Sequence, residues 1–308
     1  MPGRHRRGWH HGQVGQDIDL RHFRYFLAVV DEGTFTGAAE RLRMTQPALS
    51  RAIRVLEGAV GSELFVRSSQ GARLTDAGRL LSGDARRLVE LASAALTRAG
   101  RLSRDGEELR VTARGCDVDI LARLVRSYNE RYPQERPARA TMVDWRDQAD
   151  QVRAGETDVT LMRSPFDRHG LDSDLLRADP RVAVLPQTHP LTGRDVVDRS
   201  ELAGETFPVW PDLTPAQTAF WTGTDLTYYP WRPGPVVHDA AQFAGSIRLG
   251  QAIGFIAQAH LPEQPPGGIS VVPVTGLTPS ELQITWASTA TSPDIARFVR
   301  HATEATAA

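Results

Sequence analysis

The sequence of 308 residues contains a single cysteine, Cys116, and no lysine. One cysteine excludes an intramolecular disulfide and any cysteine-rich metal site. All 36 basic residues are arginines, and they occur in both halves of the chain, so genome composition explains the bias better than a special function. The guanidinium group still suits bidentate contacts with phosphate and guanine.

Long apolar segments are also missing. No run approaches the roughly 18 apolar residues that a membrane-spanning helix needs. The N-terminus is basic, but no apolar stretch follows it, so it does not resemble a secretory signal. With 41% hydrophobic and 24% charged residues, the composition predicts a cytoplasmic protein that has no membrane partner.

Familiar catalytic motifs are absent as well. The sequence has no glycine-rich phosphate loop, no Gly-x-Ser-x-Gly segment and no His-Glu-x-x-His segment. The histidines His5, His10 and His11 have no neighbouring carboxylate or cysteine, so they do not predict a metal site. We therefore expect no catalytic residues, no metal and no cofactor.

The net charge of −1 conceals a strong asymmetry. Residues 1–104 hold 17 arginines against 10 acidic residues, whereas residues 105–308 hold 19 against 27. A basic N-terminal part favours binding to a polyanion, and the acidic remainder does not.

Helical periodicity begins at Leu20. A first helix ends at Gly33, and Thr34 is placed to cap a second, short helix over residues 35–42. A tight turn leads to a third helix, which Thr45 is placed to cap and whose first turn contains Pro47. One face of this helix is apolar: Leu49, Ile53, Leu56 and Val60. The other face is polar and carries no acid: Gln46, Ser50, Arg51 and Arg54. This order is typical of a helix-turn-helix whose last helix enters a DNA groove.

The segment after Gly61 predicts a small β-hairpin, or wing, around Gly71. Thr75 and Asp76 then start a long helix that reaches about residue 103, roughly 40 Å at 1.5 Å per residue. Its apolar stripe favours pairing with a second subunit: Leu88, Leu91, Ala95 and Leu102.

Beyond a polar hinge at residues 105–108, strands and helices alternate, which predicts α/β layers with largely parallel sheets. About 200 residues exceed one small sheet, so we expect two lobes. The expected domains are a disordered tail over 1–17, a winged helix-turn-helix over 18–78, a linker helix over 79–104 and a two-lobed α/β domain over 105–308. Lobe I would take about 109–165 and 272–308, and lobe II about 166–271.

Residues 19–81 resemble the N-terminal domain of LysR-type transcriptional regulators. The resemblance is carried by three strings: Gly33-Thr34-Phe35-Thr36-Gly37-Ala38-Ala39-Glu40-Arg41-Leu42, Thr45-Gln46-Pro47-Ala48-Leu49-Ser50-Arg51 and Leu74-Thr75-Asp76-Ala77-Gly78. The rest of the chain matches that family by order and length. The resemblance implies an all-α winged helix-turn-helix, a long linker helix and a two-lobed α/β domain of periplasmic-binding-protein type 2, in a dimer or tetramer.

The resemblance also implies site residues. The residues expected to contact promoter DNA are Thr34, Thr36, Thr45, Gln46, Pro47, Ser50, Arg51, Arg54, Arg67 and Arg73. The residues expected near a small-molecule effector between the lobes are Cys116, Asp117, Trp145, Arg163, Val209, Trp210 and His238. Arg163 would hold an acidic effector, unless a salt bridge within the protein occupies it.

Two departures from the family pattern concern the effector. Many relatives have Ser or Thr in the first strand-to-helix turn, where this chain has Cys116 and Asp117. Asp117 would repel an anion there, so we expect a neutral or only weakly acidic, partly apolar or aromatic effector. Residues 207–231 hold seven of the 21 aromatics, which form a pocket wall, a packed lobe core or a covering flap. Cys116 lacks the second cysteine of peroxide-sensing relatives.

Three other function classes compete with a transcriptional regulator. A non-regulatory DNA architectural protein would not need 200 residues of pocket-bearing domain. An α/β enzyme would need a catalytic motif that the sequence lacks. A solute-binding protein would not need the N-terminal 100 residues. Binding to promoter fragments with and without candidate metabolites separates these classes.

Overall fold

A computed structural model describes residues 18–68, 71–104, 108–262 and 267–307. They form two compact units, whose boundary lies between Thr97 and Arg98. The described part does not include the predicted tail at 1–17, most of the hinge at 105–108, or the side chains of Arg67 and Leu102. None of the described helices is both long and apolar enough to cross a membrane.

The first unit begins with three helices, α1 (Leu20–Glu32), α2 (Phe35–Arg41) and α3 (Gln46–Val60). Thr34 caps α2 as predicted, since its hydroxyl accepts a hydrogen bond from the Gly37 amide at 3.1 Å. Thr45 occupies the N-cap position of α3 but makes no side-chain cap, so that part of the prediction is wrong. The apolar faces meet in one core: Phe26, Phe35, Leu49, Ile53, Leu56 and Phe65.

The predicted wing consists of the antiparallel strands β1 (Phe65–Ser68) and β2 (Gly71–Leu74). It is attached to the helices by a hydrogen bond from the Ala72 amide to the Gly33 carbonyl, at 2.7 Å. The linker helix α4 (Asp76–Arg104) follows, with 29 residues. It starts so close to the wing that a Cβ atom on Gly78 would collide with the Leu64 carbonyl oxygen. Only glycine fits at that position.

The first lobe of the second unit is a five-stranded sheet in the order β4-β3-β5-β13-β6. Its strands are β3 (Leu109–Ala113), β4 (Ala138–Met142), β5 (Val159–Arg163), β6 (Leu171–Asp179) and β13 (Ser280–Ala287). Its helices are α5 (Val118–Arg131), α6 (Gln148–Arg153) and α9 (Pro293–Ala307). The core between the sheet, α5 and α9 includes Leu121, Tyr128, Leu161, Ile284 and Phe298.

The second lobe is a four-stranded sheet in the order β11-β7-β12-β8. Its strands are β7 (Arg181–Pro186), β8 (Val197–Asp198), β11 (Gly254–Ala257) and β12 (Ile269–Thr275). The lobe also contains a separate parallel pair of strands, β9 (Thr206–Val209) and β10 (Arg232–Val236). Its helices are α7 (Pro215–Thr222) and α8 (Ala240–Arg248).

The sheets are mixed, which corrects the prediction of largely parallel sheets. Strand β13 runs antiparallel to both β5 and β6, and β7 runs antiparallel to both β11 and β12. The sequence did not indicate β6, because polar residues interrupt its apolar pattern. The chain crosses between the lobes near residues 179–181 and 275–280, rather than near 165 and 272.

Candidate DNA interface and ligand cleft

Helix α3 presents its predicted polar face to solvent. Leu49 and Ile53 are buried, whereas Gln46, Arg51 and Arg54 are exposed. Arg54 donates from Nε to the Ser50 carbonyl oxygen at 3.3 Å. Within the described part of the chain, no carboxylate pairs with Arg51 or Arg54, so these guanidinium groups are available to an external partner.

Ser50 differs from the expectation that its hydroxyl contacts DNA. The residue is only 7% exposed, and its Oγ accepts a hydrogen bond from Gln46 Nε2 at 3.2 Å. The turn of α3 that places Leu49 in the core also turns Ser50 inward. Ser50 therefore orients the Gln46 amide and presents little surface of its own.

The other predicted DNA-contact residues of the described part lie on the same unit. Thr34, Thr36, Thr45, Pro47 and Arg73 are all exposed. The Arg67 side chain lies outside the described atoms.

A cleft of about 710 Å³ separates the two lobes of the second unit. Five of the predicted effector residues line it: Cys116, Trp145, Arg163, Trp210 and His238. Asp117 and Val209 do not line it, and Asp117 lies buried behind the lining. A ligand in this cleft would contact both lobes, because the lining comes from both sheets.

Arg163 is occupied by partners within the protein, which corrects its prediction as the open charge partner of an acidic effector. Its side chain is 2% exposed, with Nη2 2.8 Å from Asp117 Oδ1 and Nη1 2.7 Å from Asp179 Oδ2. Nη1 also donates to the Ser280 carbonyl oxygen at 3.1 Å. The salt bridge that the sequence left as the alternative is the one observed.

Asp117 is the centre of a buried ionic group that also contains Arg114, Arg163, Asp179 and His260, and that we call the Asp117 cluster. Its side chain is 1% exposed. Asp117 Oδ2 accepts from Arg114 Nε at 3.0 Å, and Oδ1 lies 3.0 Å from His260 Nε2. His260 belongs to the second lobe, so this contact connects the two sides of the cleft.

The charge states of the Asp117 cluster follow from burial and hydrogen bonding. Burial alone would raise the pKa of the Asp117 carboxyl, but His260, Arg114 and Arg163 hold that pKa well below its usual range. Burial lowers the pKa of the His260 imidazole, and the neighbouring carboxylate offsets only part of this effect. At neutral pH an ionised Asp117 therefore accepts a hydrogen bond from an uncharged His260.

Aromatic side chains form one wall of the cleft. Trp210 stacks on Phe243 with ring centroids 6.0 Å apart, and Trp221 lies 5.8 Å from Trp210. The aromatic segment 207–231 serves two of the purposes that the sequence left open. Trp210, Phe220 and Trp221 line the cleft, whereas Phe207 is buried in the second-lobe core.

Two buried arginines that the sequence did not indicate hold helix α7, which carries part of that wall. Arg199 is fully buried and donates from Nη2 to the Thr222 carbonyl oxygen at 2.8 Å. Arg181 donates to the Phe220 carbonyl oxygen and pairs with Asp225 at 3.0 Å. Cations at the C-terminal end of a helix interact favourably with its dipole, so both arginines fix the end of α7.

Sequence reasoning also missed His260, Phe243 and Gln217, which line the cleft. They lie on segments without a motif, so no local signal marked them. Within the described residues, no group of three or more His, Cys, Asp or Glu side chains could hold a metal ion.

Family models match both units. The model of the bacterial regulatory helix-turn-helix protein, lysR family, matches residues 20–79. The model of the LysR substrate binding domain matches residues 103–307. The first model describes bacterial regulatory proteins, the class that the sequence predicted in preference to an enzyme.

Individual relatives agree with the family models. The chain is 35% identical to the Hca operon transcriptional activator HcaR of Escherichia coli over 62% of its own length. It is 34% identical to the transcriptional regulator ShiR of Corynebacterium glutamicum over 64% of its length. The matched segment spans 64% of HcaR and 67% of ShiR.

Two solved structures share the fold. Full-length BenM aligns over 94% of this chain and 97% of its own, with a TM-score of 0.53 and 21% identity. Full-length CbnR, crystallised with target DNA, aligns over 94% and 100%, with a TM-score of 0.52 and 23% identity. Since the two family models together match most of its residues, the chain belongs to the LysR family of bacterial helix-turn-helix regulatory proteins.

Proposed function

We propose that this chain is a sequence-specific DNA-binding transcriptional regulator whose DNA binding responds to a small molecule held between the lobes of its second unit. The observation that carries the proposal is the exposed polar face of α3, with Gln46, Arg51 and Arg54 free of carboxylate partners among the described residues. The fold neighbour CbnR was crystallised in complex with its target DNA, and the same kind of partner is proposed for this chain.

The chemistry of α3 suits reading of base edges in the major groove. Arginine matches guanine O6 and N7, and glutamine matches adenine N6 and N7. The hydrogen bond between Gln46 and Ser50 holds the amide in one orientation before DNA binds. The exposed Thr34, Thr36 and Arg73 suit phosphate contacts, which position the protein without reading sequence.

Alanine at Arg51 should weaken binding to a selected operator by about 1–3 kcal/mol, since a bidentate base contact is lost. Gln46→Ala should have a smaller effect in the same direction. Affinity is measured by fluorescence anisotropy for a duplex enriched from a random library and for a scrambled duplex, at one fixed salt concentration. The ratio of the two affinities should fall in both variants.

Arg126→Ala is the matched control, because Arg126 is also an exposed arginine, on α5 of the second unit. It should leave the affinity ratio unchanged. Equal losses on both duplexes in Arg51→Ala would show a phosphate contact instead of base readout. No loss on either duplex would contradict the placement of α3 in the groove.

The cleft supports binding of a small molecule, because aromatic and polar side chains line it together and it contacts both lobes. We propose that Trp145 and Trp210 stack on this ligand. A ligand changes DNA binding only if it binds one arrangement of lobes or subunits more tightly than another.

Alanine at both Trp145 and Trp210 should remove stacking surface and weaken binding of aromatic fragments at least tenfold. Binding is measured by saturation-transfer NMR with a mixture of aromatic fragments, and operator affinity is measured in parallel. Operator affinity should stay within about twofold, since both residues lie in the second unit. Trp286→Phe, at a partly buried position that packs against the core of the first lobe, should change neither. Unchanged fragment binding in the double variant would place the ligand elsewhere.

We further propose that α4 pairs with the same helix of a second copy, in a dimer or a tetramer. Leu88 and Leu91 are 44% and 39% exposed, although they lie on one face of a long helix. With Ala95 they form an apolar stripe at coiled-coil spacing. A dimer would also place two copies of α3 on one duplex.

Glutamate at Leu88 and Leu91 should shift the protein toward monomers, because it places charge within the apolar stripe. Mass is measured by sedimentation velocity. Leu96→Glu is the matched control, since Leu96 is 70% exposed on the adjacent face of α4 and should not change the mass. An unchanged mass of the double variant, with native circular dichroism, would contradict the proposed helix pair.

A further inference from the structure

Three arginines line the cleft, and each is bound by a carboxylate of the chain itself. Arg114 and Arg163 contact Asp117 at 3.0 and 2.8 Å. Arg181 contacts Asp225 at 3.0 Å. The cleft therefore has positive groups, but carboxylates of the chain balance their charge before any ligand arrives.

Further acidic groups strengthen this balance. Asp179 places a second carboxylate 2.7 Å from Arg163 and also pairs with Arg177 at 2.8 Å, and Asp144 and Asp239 belong to the lining itself. Asp144 has one arginine nearby, Arg146 at 3.5 Å. Among the described lining residues, no arginine is left without a carboxylate partner.

The remaining lining suits an uncharged, flat molecule. Trp210 and Phe243 present stacked rings, and stacking is insensitive to ligand charge in comparison with an ion pair. Ser164 accepts a hydrogen bond from Gln283 at 2.8 Å, which leaves its hydroxyl hydrogen for another acceptor. Gln217 also reaches the cleft. These groups can satisfy an amide, a hydroxyl or a ring nitrogen.

A ligand carboxylate would lose its hydration in this cleft without gaining a counter-ion, and burying an unpaired charge is costly. To pair with Arg114 or Arg163 it would also have to compete with the Asp117 carboxylate, which it cannot displace because Asp117 is part of the chain. A neutral ligand avoids both costs.

We propose that the cleft binds an uncharged aromatic ligand in preference to an aromatic carboxylate. A ligand carboxylate would need the position beside Arg114 and Arg163, and the carboxylate of Asp117 already occupies that position. This inference rests on the proposed function, since it assumes that the cleft is the ligand site. It assigns Asp117 as a residue that determines specificity through Arg114 and Arg163.

The direct test compares two isosteric probes, 2-naphthamide and 2-naphthoate, on the full chain at pH 7.5. They share ring and shape and differ in charge. Affinities are measured by titration in saturation-transfer NMR. The amide should bind at least tenfold more tightly than the carboxylate. Equal affinities, or tighter binding of 2-naphthoate, would overturn the inference.

Asp117→Asn tests the mechanism of the preference. It removes one negative charge and leaves Arg114 and Arg163 with an unbalanced charge, so affinity for 2-naphthoate should rise at least tenfold. Affinity for 2-naphthamide should change less than threefold. Asp119→Asn is the matched control, because Asp119 is an exposed carboxylate two residues further on in α5, and it should leave both affinities unchanged.

The double variant Asp117→Asn with Arg114→Met covers the case in which Asp117→Asn alone fails to fold, and it leaves Arg163 paired with Asp179. It removes one charge of each sign, so the preference for the amide should persist. A gain of 2-naphthoate binding in the double variant would contradict the charge argument. If neither probe binds the wild-type chain, the proposed ligand site fails and this inference with it, whereas a preference for 2-naphthoate overturns this inference alone.

Discussion

The pairing of Arg163 with both Asp117 and Asp179 is the interaction on which the second unit depends most. Asp117 begins α5, Asp179 ends β6, and Ser280, which also accepts from Arg163, begins β13. One guanidinium thus connects the start of a core helix with both points at which the chain crosses between the lobes. Breaking a buried ion pair by removing one partner typically costs about 3–5 kcal/mol, so these segments are held in one arrangement.

The same interaction shapes the cleft. With Arg163 occupied, the charged side of the cleft is electrically balanced, and Asp117 can connect to the opposite lobe through His260. Helix α7 supplies much of the aromatic side, and Arg181 and Arg199 hold its end by its carbonyl oxygens. Ligand recognition and lobe position are therefore linked physically, because both depend on the same buried groups.

The sequence predicted well those features that are local. Residues within about one helix length were enough to predict the periodicity of α3, the helix ends at Gly33 and Gly61, the wing and α4. The burial of Ser50 did not follow, because it depends on how α3 packs against the other helices. The sequence also placed five of seven predicted residues along the cleft.

The sequence could not predict contacts between residues that are far apart in the chain. Asp117 was expected to repel an anion, but its partner Arg163 lies 46 residues away and His260 lies 143 residues away, and nothing in either neighbourhood marks them as partners.

The titration of His260 tests the central claim, that arginines balance the charge of the Asp117 carboxylate and that the neighbouring His260 imidazole is uncharged. It is measured by NMR of histidine-labelled protein, with His260→Gln to assign the signal among the nine histidines. We predict a midpoint below the ordinary value of 6.5, because burial outweighs the pull of Asp117. The His260 imidazole of the unfolded chain then binds a proton near pH 6.5, whereas that of the folded chain binds it only at lower pH. The contribution of the uncharged His260 to the free energy of unfolding is therefore present above pH 6.5 and is lost as the pH falls. A midpoint above 6.5 would mean that a protonated His260 pairs with Asp117, and it would contradict the claim that the imidazole is uncharged.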